Sequence, residues 1–311
     1  MKLIFMGTPD FAVESLRALV LAGHEVVLAV TQPDKPKGRG HKLAPPPVKE
    51  YAQECGIPVY QPTSVKTDEA YDELSSYGAD AFIVAAYGKI LPERILNLPK
   101  YGCINVHASL LPKYRGAAPI QWSIAMGETV TGVTTMQMDV GLDTGDMLKK
   151  ATVEITENET GETLHDKLAT IGAEVLLDTL RALENGTLTK EKQDDSLSCY
   201  APMLSKETSK IDFNKSAKEV RNLIRAMNPY PAAHTLYEGN RMRVFSAAFC
   251  DSGSGKPGEI LSVSSDGICV SCADGALLLT EIQFDGKKRM PVSEYLKGNK
   301  IECGVVLGKT E

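Results

Sequence analysis

No apolar run in this 311-residue chain approaches the ~20 residues needed to cross a bilayer, so a helical membrane span is excluded. The first apolar stretch, Lys2–Gly7, is too short for a signal-peptide core, and no small-residue cleavage site follows it. Cysteine is sparse and scattered, at positions 55, 103, 199, 250, 269, 272 and 303. Seven is an odd number, which argues against a disulfide framework. Internal repeats and low-complexity tracts are missing as well. These absences point to a cytoplasmic globular protein, in keeping with a composition that is 43% hydrophobic and 24% charged. At roughly 100–200 residues per domain, the length fits two domains.

The charge is unevenly divided. From Lys206 to Glu311 there are 15 Lys/Arg against 13 Asp/Glu, a net of +2; the remaining 19 against 27 leave the first 205 residues at −8. An acidic body with a mildly basic second part is compatible with a polyanionic partner, though many proteins carry such a difference.

Short apolar runs alternate with helical patterns through the first two hundred residues, the signature of a parallel α/β sheet. Leu3–Met6, Val26–Val30, Ala81–Ala86, Cys103–Val106, Val130–Met138 and Met147–Ile155 read as strands. Glu162–Leu183 reads as a long amphipathic helix, stopped by Asn185-Gly186. The polar stretch 187–205 reads as a linker between a domain spanning 1–186 and one spanning 206–311. The latter opens with a helix and continues as short strands separated by turn signals, which fits a small, OB-like barrel.

Two apparent motifs carry little. The turn after the first strand, Gly7-Thr8-Pro9-Asp10-Phe11, holds one glycine where a dinucleotide fingerprint needs three. Cys269-Val-Ser-Cys272 lacks the second ligand pair of a zinc site, and its period-two surroundings favour a plain strand.

Asn105-Val-His107 is more informative. Residues two apart on a strand project to one face, so an amide and an imidazole point together. The Asp139–Asp146 cluster of glycines and aspartates after a strand allows three readings: a plain turn, a cation loop off the EF-hand spacing, or a carboxylate reaching over to orient His107. The segment Asp34–Lys49, with Lys35, Lys37, Arg39, Lys42 and Lys49 among glycines and prolines, is either a solvated loop or a grip on a phosphate backbone.

Taken in order, Gly7–Phe11, Ala86-Tyr87-Gly88-Lys89-Ile90-Leu91-Pro92, Asn105–Pro112, Arg115–Ile120, Gly132-Val133-Thr134, Met138-Asp139 and Gly141–Gly145 resemble the folate-dependent formyltransferases. With the basic segment near residue 39 and Phe284–Met290, the resemblance extends over nearly the whole chain, more loosely in its last third. It implies a Rossmann-like formyltransferase domain, 10-formyltetrahydrofolate as formyl donor, no metal, and the amine of methionyl initiator tRNA as acceptor. Asn105, His107 and Asp143 are the implied catalytic set. Ala85, Ala86, Tyr87, Ile90, Ser109, Leu110, Leu111, Pro112, Asp139, Val140 and Gly141 are the implied folate contacts. Lys35, Lys37, Arg39, Lys42, Lys287, Lys288 and Arg289 are the implied tRNA contacts, and Phe11 is placed against the methionine side chain, unless it is core. Competing acceptors are a glycinamide ribonucleotide, an amino sugar-nucleotide or water, and a non-catalytic tRNA-binding relative is the remaining alternative. A monomer is expected, since no dimerisation signature is evident.

Overall fold

A computed structural model of the chain describes residues 1–37, 42–251, 253 and 255–309. In chain order its strands and helices begin β1 (Lys2–Gly7), α1 (Asp10–Leu21), β2 (Glu25–Val30), β3 (Lys35–Lys37), β4 (Lys42–Ala44), α2 (Pro47–Glu54), β5 (Val59–Tyr60) and α3 (Asp68–Ser76). They continue with β6 (Ala81–Ala85), α4 (Glu93–Leu96), β7 (Cys103–His107), β8 (Arg115–Gly116), α5 (Pro119–Ala125), β9 (Val130–Gln137), β10 (Met147–Glu154), α6 (Gly161–Glu184) and β11 (Tyr200–Ala201). The last part holds α7 (Ala217–Ala226), β12 (Ala233–Tyr237), β13 (Asn240–Cys250), β14 (Ile260–Ser264), β15 (Gly267–Ser271), β16 (Ala276–Phe284), β17 (Met290–Pro291) and α8 (Val292–Tyr295).

The chain forms two compact units. One comprises Met1–Pro119, Val130–Glu154 and His165–Ala201; the other comprises Ile120–Thr129, Ile155–Leu164 and Pro202–Glu311. In the first, a seven-stranded sheet runs in the order β10-β9-β7-β6-β1-β2-β5. Leu3, Ile4, Phe5 and Met6 of β1 and all five residues of β6 are buried, as strands covered on both faces must be. Helix α1 follows from the spacing of Phe11, Ala12, Ser15, Leu16 and Leu19, which share one buried face. Gly7 is there for packing: a Cβ would stand 2.7 Å from the Cβ of Ala12.

Strands β1, β2, β5, β6 and β7 are parallel, whereas β9 runs antiparallel to β7 and β10 antiparallel to β9. The sheet is thus mostly parallel, with an antiparallel margin on the side of β7. The stretch 187–205 is not a bare connector. Up to Ala201 it belongs to the first unit, where Glu191 bridges Met147 and β11 pairs with β8. Its backbone polar groups find partners on that unit in place of water.

The second unit is built on an antiparallel sheet in the order β12-β13-β16-β15-β14, with β17 beside β16. Helix α7, with a Ser216/Glu219 capping box, buries Val220 and Ile224 in one core with Met242, Val244, Leu277 and Leu279. The two sheet edges are drawn together by residues 304–308. On one side Gly304 N and Leu307 N donate to Ile260 O and Gly258 O, each at 2.8 Å; on the other Gly308 N donates to Leu236 O at 2.8 Å. The result is a partly closed barrel whose closing segment carries no regular strand of its own.

Candidate active site

Strand β7 supplies the first two side chains. Asn105 and His107 share one face of it, with β6 on one side and β9 on the other. His107 is buried and Asn105 half-buried. The His107 Nε2 lies 2.9 Å from the carbonyl oxygen of Tyr114. A carbonyl only accepts, so Nε2 carries a hydrogen and Nδ1 is the nitrogen whose protonation can change. That nitrogen faces the Asp143 carboxylate, with Oδ2 at 3.7 Å.

Asp143 reaches this place by an indirect route. Ile104 pairs with Gln137 and His107 with Thr134, so β9 ends beside the start of β7, about 10 Å from His107 at ~3.3 Å per residue. The loop after β9 folds back along the sheet to return Asp143 to the imidazole. Asp143 adopts φ 53°, in the left-handed region that asparagine and aspartate tolerate better than most residues. Its Oδ2 accepts a 2.8 Å hydrogen bond from Gly116 N, and its backbone oxygen accepts one of 2.7 Å from Gln193 Nε2.

The segment after β7 is tied to β9 through Thr134. Its hydroxyl donates to Ser109 O at 2.7 Å and accepts from Leu111 N at 3.1 Å, while Ser109 Oγ donates to Lys113 O at 2.6 Å. Tyr114, at φ 60°, donates through its N–H to Cys199 Sγ at 3.2 Å. The ends of β1, β2 and β6 are joined at Tyr87 O, which accepts from Thr8 Oγ1 at 3.1 Å and Gln32 Nε2 at 3.0 Å. Gly88 follows at φ 79°, and a Cβ there would overlap Gln32 Nε2.

The residues expected to meet folate divide by exposure. Ala85, Tyr87, Ser109 and Leu111 are buried, backbone and side chain alike, whereas Ala86, Leu110, Pro112, Asp139 and Gly141 are at least partly exposed. Burial pushes the Tyr87 phenol up to about 12, so it stays neutral. Ile90 and Val140 are 71% and 70% exposed, so their side chains are accessible to a ligand. Ala86 takes φ 46°, and Leu110 and Pro112 belong to the Thr134-tied segment, Leu111-Pro112 being a cis peptide. Asp139 Oδ1 accepts from Gly141 N at 3.0 Å and Thr144 Oγ1 at 2.7 Å, which shapes the turn ahead of Asp143.

The expected tRNA contacts are scattered. Lys35 Nζ donates to Gln32 Oε1 at 2.7 Å. Arg39 and the side chains of Lys37 and Lys42 lie outside the described residues. Lys287 and Lys288 are exposed on the second unit, while Arg289 pairs with Glu281 at 2.7 Å and lies over the Phe245 ring at 4.2 Å. Among the described residues, no group of three or more His, Cys, Asp or Glu is placed to hold a metal, and no helix is long and apolar enough to cross a membrane.

Phe11 is 6% exposed and meets His165 edge-on at 5.5 Å, so most of its ring is core. His165 Nε2 stands 3.5 Å from Asp10 Oδ1, and Nδ1 lies 2.9 Å from Asp166 Oδ1. Hydrogen bonding to Asp10 raises the His165 pKa above its ordinary 6.5, and the same contact lowers Asp10 below its ordinary 3.8. A raised histidine stabilises the fold fully below its ordinary pKa and loses that contribution as pH rises through the raised value. A lowered aspartate contributes above its ordinary pKa and loses that as pH falls. Both therefore operate between about pH 4 and 6.5. His165→Gln is expected to lower the melting temperature more at pH 5.5 than at pH 8.5; equal losses at both would show that the pair adds nothing.

Tyr114 O, Gly116 N, Arg115 and Gln193 surround the His107–Asp143 pair without having been read as functional from the sequence. Two act through backbone atoms, which leave no mark on residue type. Gln193 sits in the stretch expected to be linker.

Comparison with known proteins agrees with this geometry. Residues 1–180 match the formyl transferase family and residues 203–300 its C-terminal domain. A methionyl-tRNA formyltransferase of Ruminiclostridium cellulolyticum is 55% identical over 99% of this chain and 100% of its own length. One from Clostridioides difficile is 53% identical over 99% and 100%. Among solved structures, an N-formyltransferase from Helicobacter canadensis, in complex with folinic acid and dTDP-3-aminofucose, superposes with a TM-score of 0.68 at 21% identity, covering 93% of this chain and all of that one. Both ends of the sequence thus carry the marks of one family, and the chain belongs to the formyl transferases.

Proposed function

We propose that this protein transfers the formyl group of 10-formyltetrahydrofolate to the amino group of methionyl initiator tRNA. The observation that carries the reading is likeness over the full chain, in both domains, to relatives that are named methionyl-tRNA formyltransferases. The net positive second part of the chain favours a polyanionic acceptor over a small amine. Lys35, Lys37, Arg39, Lys42, Lys287, Lys288 and Arg289 are the cations we assign to the tRNA backbone. A cytoplasmic monomer fits this role.

The chemistry needs little beyond the residues of β7 and its neighbours. The neutral amine attacks the formyl carbon, the carbonyl oxygen becomes an oxyanion, the bond from carbon to folate nitrogen breaks, and the proton lost by the amine ends on that nitrogen. The Asn105 amide donates to the oxyanion, a role worth ~3–4 kcal/mol in comparable sites. His107 Nδ1 takes up and returns the proton while Nε2 stays committed to Tyr114 O. The Asp143 carboxylate, 3.7 Å from Nδ1, stabilises the imidazolium in between. The folate lies against the exposed Ile90 and Val140, with backbone groups of Ala86, Leu110, Pro112 and Asp139–Gly141 reading its polar edge and the buried Ala85, Tyr87, Ser109 and Leu111 supporting them from behind.

The test offers purified protein 10-formyltetrahydrofolate with methionyl initiator tRNA, a glycinamide ribonucleotide or an amino sugar-nucleotide. Formylmethionyl-tRNA should be the main product. Formylation of a small amine with the tRNA untouched would replace the acceptor in this reading.

A further inference from the structure

We propose that Gln193 is a positioning residue: it clamps the backbone of the Asp143 loop so that the carboxylate stays opposite His107. The inference rests on the roles given above to His107 and Asp143. Gln193 uses its whole amide. Its Nε2 donates to Asp143 O and to Gly145 O, each at 2.7 Å. Its Oε1 accepts from Arg115 Nε at 3.0 Å and from Arg115 Nη2 at 2.8 Å.

Each partner in turn leads to the imidazole. Arg115 follows Tyr114, whose carbonyl holds His107 Nε2, and precedes Gly116, whose N–H holds the Asp143 carboxylate. Gln193 therefore links the segment that fixes one imidazole nitrogen to the loop that faces the other. The same Arg115 Nη2 also donates to Asp195 Oδ1 at 2.7 Å, and the Arg115 backbone N–H donates to Cys199 O at 2.9 Å. The loop needs such a hold. It folds back along the sheet after β9, and Asp143 adopts a left-handed backbone that costs energy for any residue other than glycine. Two hydrogen bonds to this loop, at Asp143 O and Gly145 O, offset the cost and fix the carboxylate opposite His107 Nδ1. A side chain that only stabilised the fold would have no reason to join these three groups.

The test uses the full chain with methionyl initiator tRNA and 10-formyltetrahydrofolate. Gln193→Glu keeps the acceptor for Arg115 and loses both donors to the loop; Gln193→Leu loses both halves. Each is expected to lower kcat about 10–100-fold, as small misplacements of catalytic groups do, with KM for both substrates within about threefold of wild type. In an Asp143→Asn background the same changes should cost less than about threefold, because the group being positioned has already been disabled. Additive losses in the double variants, or a Gln193→Glu protein of wild-type kcat, would overturn the inference. If Asp143→Asn alone keeps wild-type kcat, both the catalytic reading and this inference fail. An impaired Asp143→Asn beside a fully active Gln193→Glu removes the inference alone. Thermal melts of each variant show whether a loss of rate comes from unfolding.

Discussion

His107→Ala should lower the rate of formyl transfer by about 10²–10⁴-fold, the range that a general acid–base group commands. The effect belongs in kcat, with folate binding little changed, because the imidazole is held by Tyr114 O and faces Asp143 in a buried setting. His107→Gln separates chemistry from packing. It fills much of the same space and can still donate to Tyr114 O, but it cannot cycle a proton at neutral pH. A melting temperature near wild type with a rate as low as that of His107→Ala would locate the loss in proton transfer. A His107→Gln protein within threefold of wild type would mean that the amine loses its proton elsewhere, to water or to folate itself.

Gly145→Ala should be the most damaging single methyl in the first unit's loops. A Cβ at this position would overlap the Gln137 backbone oxygen, and a backbone atom in a strand cannot turn aside as a side chain does. Overpacking of this kind costs ~1–3 kcal/mol where neighbours can yield. Here the loop itself must move, and with it the Gly145 carbonyl that accepts from Gln193 and the Asp143 carboxylate two residues earlier. We therefore expect a kcat loss of about 10²-fold on top of the drop in stability, read from activity and urea denaturation together. The neighbouring Gly141→Ala first meets the Thr144 side chain, not strand backbone, and should be milder in stability. Equal destabilisation by the two would show that the strand, contrary to this account, gives way.

Much of the site could be read from the chain because it depends on spacing. Asn105 and His107 fall on one strand face by parity, and the buried strands announce themselves as continuous apolar runs. Strand direction was less accessible. The nine residues 138–146 between β9 and β10 are too few for a parallel crossover, which needs a dozen or more, so that reversal was implicit. The reversal between β7 and β9 was not, since 22 residues with a helical stretch between them suit either direction. The contribution of residues 187–201 was hidden for another reason. Gln193 meets Asp143 fifty residues earlier in the chain through one amide, and a polar stretch ending near a proline looks the same whether it is solvated or bonded to backbone. Arg39, one of the cations that the resemblance assigns to tRNA, lies outside the described part of the structure.

The way residues 304–308 draw together the edges of the second sheet has a consequence for how the protein is made. Every strand of that sheet is synthesised before them; residues 209–211 already pair with His234 of β12, but the edge of β14 and the Leu236 end of β12 stay open until Gly304 through Gly308 leave the ribosome. Open edges are where nascent and truncated chains find each other. A stop codon shortly before Gly304 removes no catalytic group and few core side chains, yet it leaves a ribosome product that never seals. Such a product should accumulate in aggregates rather than as a soluble enzyme lacking its tail.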